Sequence, residues 1–205
     1  MDLKEDAYLT LLEPGKETLY KEKGSKFYGY AFPVQNEAQI QEILTDLKTR
    51  HHKARHWCYA WQLGIRYENY RANDDGEPNN SAGMPIYGQL QAFNVTQVLV
   101  VVVRYFGGTK LGVGGLISAY KTSAQMALEA SKIIKKTIKT SFQINFEYPL
   151  MNQVMRILKE EQIEPLTQEF LIACKITFSV RKTESEKVFE KFNKVYGVKI
   201  KKINE

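Results

Sequence analysis

Apolar and aromatic side chains crowd residues 26–34, KFYGYAFPV, and the run predicts a β-strand. Asn36 and Gln39 then form a capping-box-like start to a helix whose apolar positions Ile40, Ile43, Leu44 and Leu47 keep helical spacing. Residues 56–63 alternate, with Trp57, Tyr59 and Trp61 on one face and Cys58 and Ala60 on the other, which predicts a second strand. Residues 98–103 are wholly apolar and read as a buried strand. A loop with glycines at 107, 108, 112, 114 and 115 follows, and then an amphipathic pattern that continues as a helix to about Lys132.

Beyond residue 135 the pattern restarts. Phe142, Ile144, Phe146 and Tyr148 alternate as one strand face, and Leu150, Val154, Ile157 and Leu158 mark a helix. A short strand at 165–168 precedes a second alternating set, Phe170, Ile172, Cys174, Ile176 and Phe178. Thr183 and Glu186 read as a capping box for a helix carrying Val188, Phe189, Phe192 and Val195, and residues 198–203 as a last strand. This β-α-β-β-α-β order is that of the ferredoxin-like fold. The expectation is an α+β protein of two domains, 1–135 and 136–205, divided in the lysine-rich segment 132–139. The second sheet's other face, with Ser141, Gln143, Asn145, Lys175, Thr177, Lys199 and Lys201, is polar, mildly basic and free of aromatics, so it offers RNA phosphate contacts rather than base stacking.

Charge and cysteine content narrow the functional classes. A net charge of +6 over 205 residues favours acidic partners such as RNA or the ribosome without deciding the matter. The two cysteines, Cys58 and Cys174, both lie in strand-like apolar runs and read as buried free thiols of a reducing compartment. With no signal-like N-terminus and no long apolar segment, the expected location is the cytoplasm, with no membrane role.

The richest chemistry lies at the glycine loop. An apolar strand, a glycine loop and a helix start, in that order, leave backbone N–H groups unpaired at the positive end of a helix dipole, a ready site for phosphate or carboxylate. Arg104 at the loop entrance and Lys110 within it reinforce the sign, so the expected anion- or RNA-binding set is Arg104, Gly107, Gly108, Thr109, Lys110, Gly112, Gly114 and Gly115. Leu116 stands where a phosphate-binding P-loop needs lysine, and the glycines are wrongly spaced for a dinucleotide fingerprint. Five glycines in nine positions also exceed what one tight turn requires. The long polar stretch 71–85 carries Asp74, Asp75 and Glu77, read either as a solvated turn or as a ligand loop able to hold Mg2+ near the glycine loop. His51, His52 and His56 lack zinc spacing, and Cys58 beside His56 reads as packing rather than as a nucleophile with its base. No catalytic residue is assigned.

The runs KGSKFYGYAFPV at 23–34, HWCYAWQLG at 56–64, NDDGEPNNSAGMPI at 73–86 and VVVVRYFGGTKLGVGGLISAY at 100–120 resemble the IMPACT family, in its bacterial, YigZ-like branch. The resemblance implies a ribosomal protein S5 domain 2-like fold followed by a ferredoxin-like domain, a pair similar to the last two domains of the ribosomal translocation factor. It also implies a role near translation, since eukaryotic relatives are tied to translational control through an initiation-factor kinase pathway; they carry an additional N-terminal RWD domain that is not expected in this chain. Asn79, Asn80 and Ser81 stand where the family tends to have Ser-Gly-Thr. Two functions compete. The leading one is a translation-associated binding protein whose partner is RNA, the ribosome or a translation factor. The other is a small-molecule enzyme: the S5-like fold is shared with small-metabolite kinases, residues 111–119 are similar to their phosphate loop, and Lys110, Asp75 and Glu77 would serve as phosphate and metal ligands.

Overall fold

The computed structural model describes residues 6–171 and 173–203, which form an α+β protein of two compact units. One unit spans Tyr8–Lys136, and the other begins at Thr137 and takes in Asp6 and Ala7. The reason those two residues leave the expected first domain is local. The Asp6 carbonyl accepts from the Ile138 N–H at 2.6 Å, and its carboxylate accepts from the Thr183 hydroxyl at 3.0 Å.

The first unit contains β1 (Ala7–Leu11), β2 (Thr18–Glu22), β3 (Ser25–Pro33), α1 (Glu37–Arg50), β4 (His56–Leu63) and β5 (Asn69–Asn73), then α2 (Gly83–Ala92), β6 (Val98–Tyr105), α3 (Gly112–Glu129) and β7 (Ile133–Thr137). Five strands form an antiparallel sheet of order β2-β3-β6-β4-β5, and β1 pairs with β7. β6 lies at the centre and is covered on both sides. Its even positions Val98, Val100 and Val102 pack with Phe27, Cys58, Ala60 and the apolar sides of α2 and α3. Its odd positions Leu99, Val101 and Val103 pack with Tyr59, Trp61 and the Ile40, Leu44 and Leu47 stripe of α1. The Asn36 side chain accepts from the Gln39 N–H at 3.0 Å and caps α1, as the sequence predicted.

Two expectations for this unit change. α3 ends at Glu129 rather than near Lys132, and most of the lysine-rich segment in which the domain division was expected forms β7. The polar stretch 71–85 gives its ends to β5 and α2, leaving residues 74–82 as the loop.

On the α1 side of the sheet, the Tyr30 hydroxyl donates to Glu17 at 2.6 Å and lies 2.6 Å from His51 Nε2, while His51 Nδ1 lies 3.0 Å from the Tyr105 hydroxyl. Tyr30 has one proton and gives it to Glu17. Nε2 therefore carries hydrogen and Nδ1 accepts from Tyr105. Burial pushes the His51 pKa below its ordinary 6.5, with Glu17 opposing and Arg50 adding to the shift. As pH falls through that value the unfolded chain takes up the proton first, so stability present above it is lost below it. Thermal unfolding followed by circular dichroism should show the first unit's midpoint dropping between about pH 7.5 and 5.5, and His51→Gln should flatten that slope.

The second unit places β8 (Lys139–Phe146), α4 (Met151–Glu160), β9 (Pro165–Phe170), β10 (Cys174–Arg181), α5 (Ser185–Asn193) and β11 (Lys199–Ile203) in an antiparallel sheet of order β11-β8-β10-β9. This is the ferredoxin-like arrangement, with Phe142, Ile144, Phe146, Cys174, Ile176 and Phe178 packed against α4 and α5. On the opposite face Lys175, Asn145 and Lys199 form one cross-strand row, and Thr177, Gln143 and Lys201 the next.

Three sequence readings for this unit are corrected. Phe170 closes β9, pairs with Cys174 and is exposed, so the alternation from 170 to 178 belongs to two strands; Ile172 lies outside the described residues. Tyr148 sits in a one-turn 3-10 segment and is exposed. No side chain caps α5, because Thr183 lies within a preceding 3-10 turn and bonds Asp6 instead. Among the described residues no helix is long and apolar enough to cross a membrane.

Candidate ligand-binding site

Arg104 continues the even face of β6, so its side chain follows Val102 toward α3 and away from water. Only 6 % of the residue is exposed. Its Nη1 donates to Glu77 Oε1 at 2.6 Å, and its guanidinium carbon lies 5.5 Å from the Phe27 ring centroid and 5.7 Å from that of Phe106. Glu77 also accepts from the Tyr120 hydroxyl of α3 at 2.8 Å. The Cys58 thiol donates to the Asp74 carbonyl at 3.0 Å and lies 3.3 Å from the Tyr120 hydroxyl. Burial pushes both the Cys58 thiol and the Tyr120 phenol up, so both stay protonated at neutral pH. Arg104 is thus not the surface cation the sequence suggested: a strand's two-residue period turned it inward, and Glu77 balances its charge.

The three carboxylates of the 74–82 loop diverge. Asp74 Oδ1 accepts from the N–H groups of Ala82 at 2.9 Å and Gly83 at 2.8 Å, and its Oδ2 accepts from Asn80 at 2.9 Å. It caps α2 from eight residues upstream. Asp75 Oδ2 accepts from the Trp57 N–H at 2.7 Å, and the Asp75 carbonyl accepts from His56 Nδ1 at 2.9 Å. Glu77 serves Arg104 and Tyr120. Ser81, fully buried, donates to the Pro78 carbonyl at 2.6 Å. Each carboxylate is taken by protein donors, and among the described residues no three His, Cys, Asp or Glu side chains are placed to hold a metal ion. The loop therefore does not present the Mg2+ ligand set read from the sequence. Its carboxylates hold the loop closed.

Glu77 and the glycine loop do meet. Glu77, Pro78 and Arg104 line a cleft of about 310 Å3 together with Phe106, Lys110, Leu111, Gly112, Val113 and Leu116. Gly107, Gly108, Thr109, Lys110, Gly112 and Gly114 are exposed and Gly115 half-buried. Lys110 makes no ion pair among the described residues, and no side chain caps the first turn of α3. The glycines serve unlike purposes. A Cβ on Gly107 would fall 1.9 Å from the Gly24 carbonyl carbon, and Gly108 and Gly112 have φ of +88° and +71°. Gly114 has ordinary helical φ and open space within 4 Å. The Gly107 N–H donates to Ser25 Oγ at 3.1 Å, which ties the loop to the β2–β3 hairpin.

Sequence reading missed Phe106, Tyr120 and Ser25. Tyr120 was accessible to it, lying on the α3 stripe with Leu116 and Ala124 at helical spacing. Ser25 meets the loop through the Gly107 N–H, 82 positions away, which leaves no local signal.

The Impact N-terminal domain family model matches residues 23–128, which include the whole cleft. The chain is 32 % identical over 180 residues to the IMPACT family member YvyE of Bacillus subtilis, covering 88 % of this chain and 82 % of that one. It is 31 % identical over 186 residues to an IMPACT family member of Haemophilus influenzae, covering 89 % and 88 %. A crystal structure described as that of a hypothetical protein, 24 % identical, matches 98 % of this chain and all of that one with a TM-score of 0.70, and so shares the fold.

Proposed function

The chain belongs to the IMPACT family, and on that premise we propose that it is a translation-associated binding protein of the cytoplasm that takes an RNA phosphate at the glycine loop between β6 and α3. The observation that carries this reading is the charge balance of the cleft. Its one carboxylate, Glu77, is cancelled by Arg104 on the floor, while the rim keeps Lys110 and the uncapped N-terminus of α3. The mouth is therefore positive, and first-turn N–H groups suit a phosphate. Binding is favoured over a chemical step because Glu77, the one carboxylate lining the cleft, is spent on two donors, Arg104 and Tyr120. Two free, buried cysteines suit a reducing compartment.

Fluorescence anisotropy with labelled RNA at several salt concentrations tests the reading. Lys110→Ala should weaken binding about tenfold, the scale of one charge-assisted hydrogen bond. The loss should be equal for unrelated sequences, and the salt slope should shrink by about 0.7–1, as loss of one phosphate contact requires. If Lys110→Ala leaves RNA binding intact but abolishes thermal stabilisation by a nucleotide, the small-molecule enzyme reading replaces this one.

A further inference from the structure

Phe106 is 53 % exposed although it borders a well-packed core, and Val113, also 53 % exposed, lines the same cleft. Ile117, one turn further along α3 and 39 % exposed, extends the same face. These side chains give the cleft and the adjoining face of α3 exposed apolar surface. Pro78, Leu111 and Leu116 complete apolar walls around the 310 Å3 space. The Arg104 guanidinium, fixed by Glu77, lies against the Phe106 ring and holds its position. The side chain is more than nine-tenths buried and lines the cleft, yet its Nε has no acceptor among the described residues. The cleft thus joins an aromatic platform, apolar walls and a positive rim above the buried Arg104–Glu77 pair.

We propose that this cleft holds one unstacked base of a single-stranded RNA, stacked on Phe106, with the adjoining phosphate at Lys110 and the first turn of α3. The assignment rests on the RNA reading above and gives it a strand class. A base explains the combination better than an apolar side chain of a protein partner. It brings a flat face for Phe106 and a phosphate on either side for the positive rim; an aliphatic anchor brings neither. Duplex RNA keeps its bases stacked and cannot fill the cleft. Gly114 fits the same picture, since with nothing within 4 Å of a Cβ there, its side of the helix turn is bare backbone.

The test uses the full chain with a labelled ten-residue oligouridine, the same oligomer with abasic sites, an RNA duplex of equal length, and free uridine monophosphate. Phe106→Ala should weaken oligouridine binding about five- to hundredfold, the range of one base–aromatic stack. It should leave the weaker abasic and duplex binding unchanged. Phe106→Trp should restore affinity, and its indole fluorescence should be quenched by oligouridine and not by the abasic strand. Because Phe106 is half in water, neither variant should shift the melting temperature; Val113→Ser, in the lining of the same cleft, provides a second reduction of the oligouridine arm alone. Equal losses for oligouridine and the abasic strand would overturn the base pocket and leave an apolar protein contact in its place. Quenching by uridine monophosphate at lower concentration than by the oligomer would overturn the strand assignment in favour of a free nucleotide. If the wild type binds oligouridine and Phe106→Ala changes nothing, this inference alone falls; if the wild type binds no RNA at all, the functional reading falls with it.

Discussion

Replacing Glu77 by alanine should cost the first unit about 3–5 kcal/mol, the range for removing one partner from a buried ion pair. The Arg104 and Glu77 side chains are only 7 % and 5 % exposed, so the variant strands a guanidinium away from both water and its counter-charge. The Tyr120 hydroxyl loses its acceptor in the same stroke. Against a typical domain stability of about 5–15 kcal/mol, that is enough to leave much of the unit unfolded at 37 °C. The double variant Glu77→Leu/Arg104→Met should recover most of the loss, because it removes the stranded charge together with its partner. Urea unfolding of the three proteins distinguishes the cases. A Glu77→Ala protein within about 1 kcal/mol of wild type would mean that the pair does not hold the 74–82 loop to the sheet.

The second large effect separates two glycines of one loop. Gly107→Ala should destabilise by about 3 kcal/mol, the upper part of the usual range for overpacking, since its Cβ meets the backbone of Gly24 and Ser25 rather than a side chain that can swing away. Gly114→Ala should do the reverse. It adds a methyl in open space within a helix, where alanine is favoured over glycine by about 1 kcal/mol, so the protein should gain up to that amount. The same methyl should weaken RNA binding by standing beside the first-turn N–H groups. Thermal melts paired with the anisotropy titration measure both quantities. A Gly114→Ala variant that is stabilised and binds normally would leave no functional reason for a glycine at that position.

Much of this architecture was legible because its signals are local. Two-residue alternation in β4 and the apolar run of β6 placed the central strands, and Asn36 with Gln39 marked the start of α1. What escaped depended on partners distant in sequence. α2 begins Gly-Met-Pro and has another glycine at 88, a poor local helix pattern, and forms because Asp74 reaches from upstream to cap it. Thr183 looks like a cap on paper, yet its hydroxyl is taken by Asp6, 177 positions away. Phe170 misled because alternation continues in phase across the turn between β9 and β10, with no glycine, proline or asparagine to break it.

At the site, glycine spacing located the loop but not its electrostatics. Counting Arg104 with Lys110 treated charge as a property of the segment, whereas parity along β6 sends Arg104 to the same side as Val102. The same parity, followed one residue past Tyr105, leaves Phe106 beyond the end of the strand and beside the cleft, a placement no periodic pattern records.

The most direct measurement is a titration of the 15N-labelled protein with oligouridine, watching the backbone amides of the loop. Amide signals of Lys110 and Gly112 through Gly115 should shift saturably in step with the anisotropy curve, with the ring protons of Phe106 moving upfield as a base stacks on them. Those shifts should fall to about half in Lys110→Ala at a concentration about ten times the wild-type Kd, as a tenfold weaker affinity requires. Shifts confined to the lysine-bearing sheet face of the second unit, with the loop amides unmoved at saturation, would contradict the assignment of the glycine loop as the anion site.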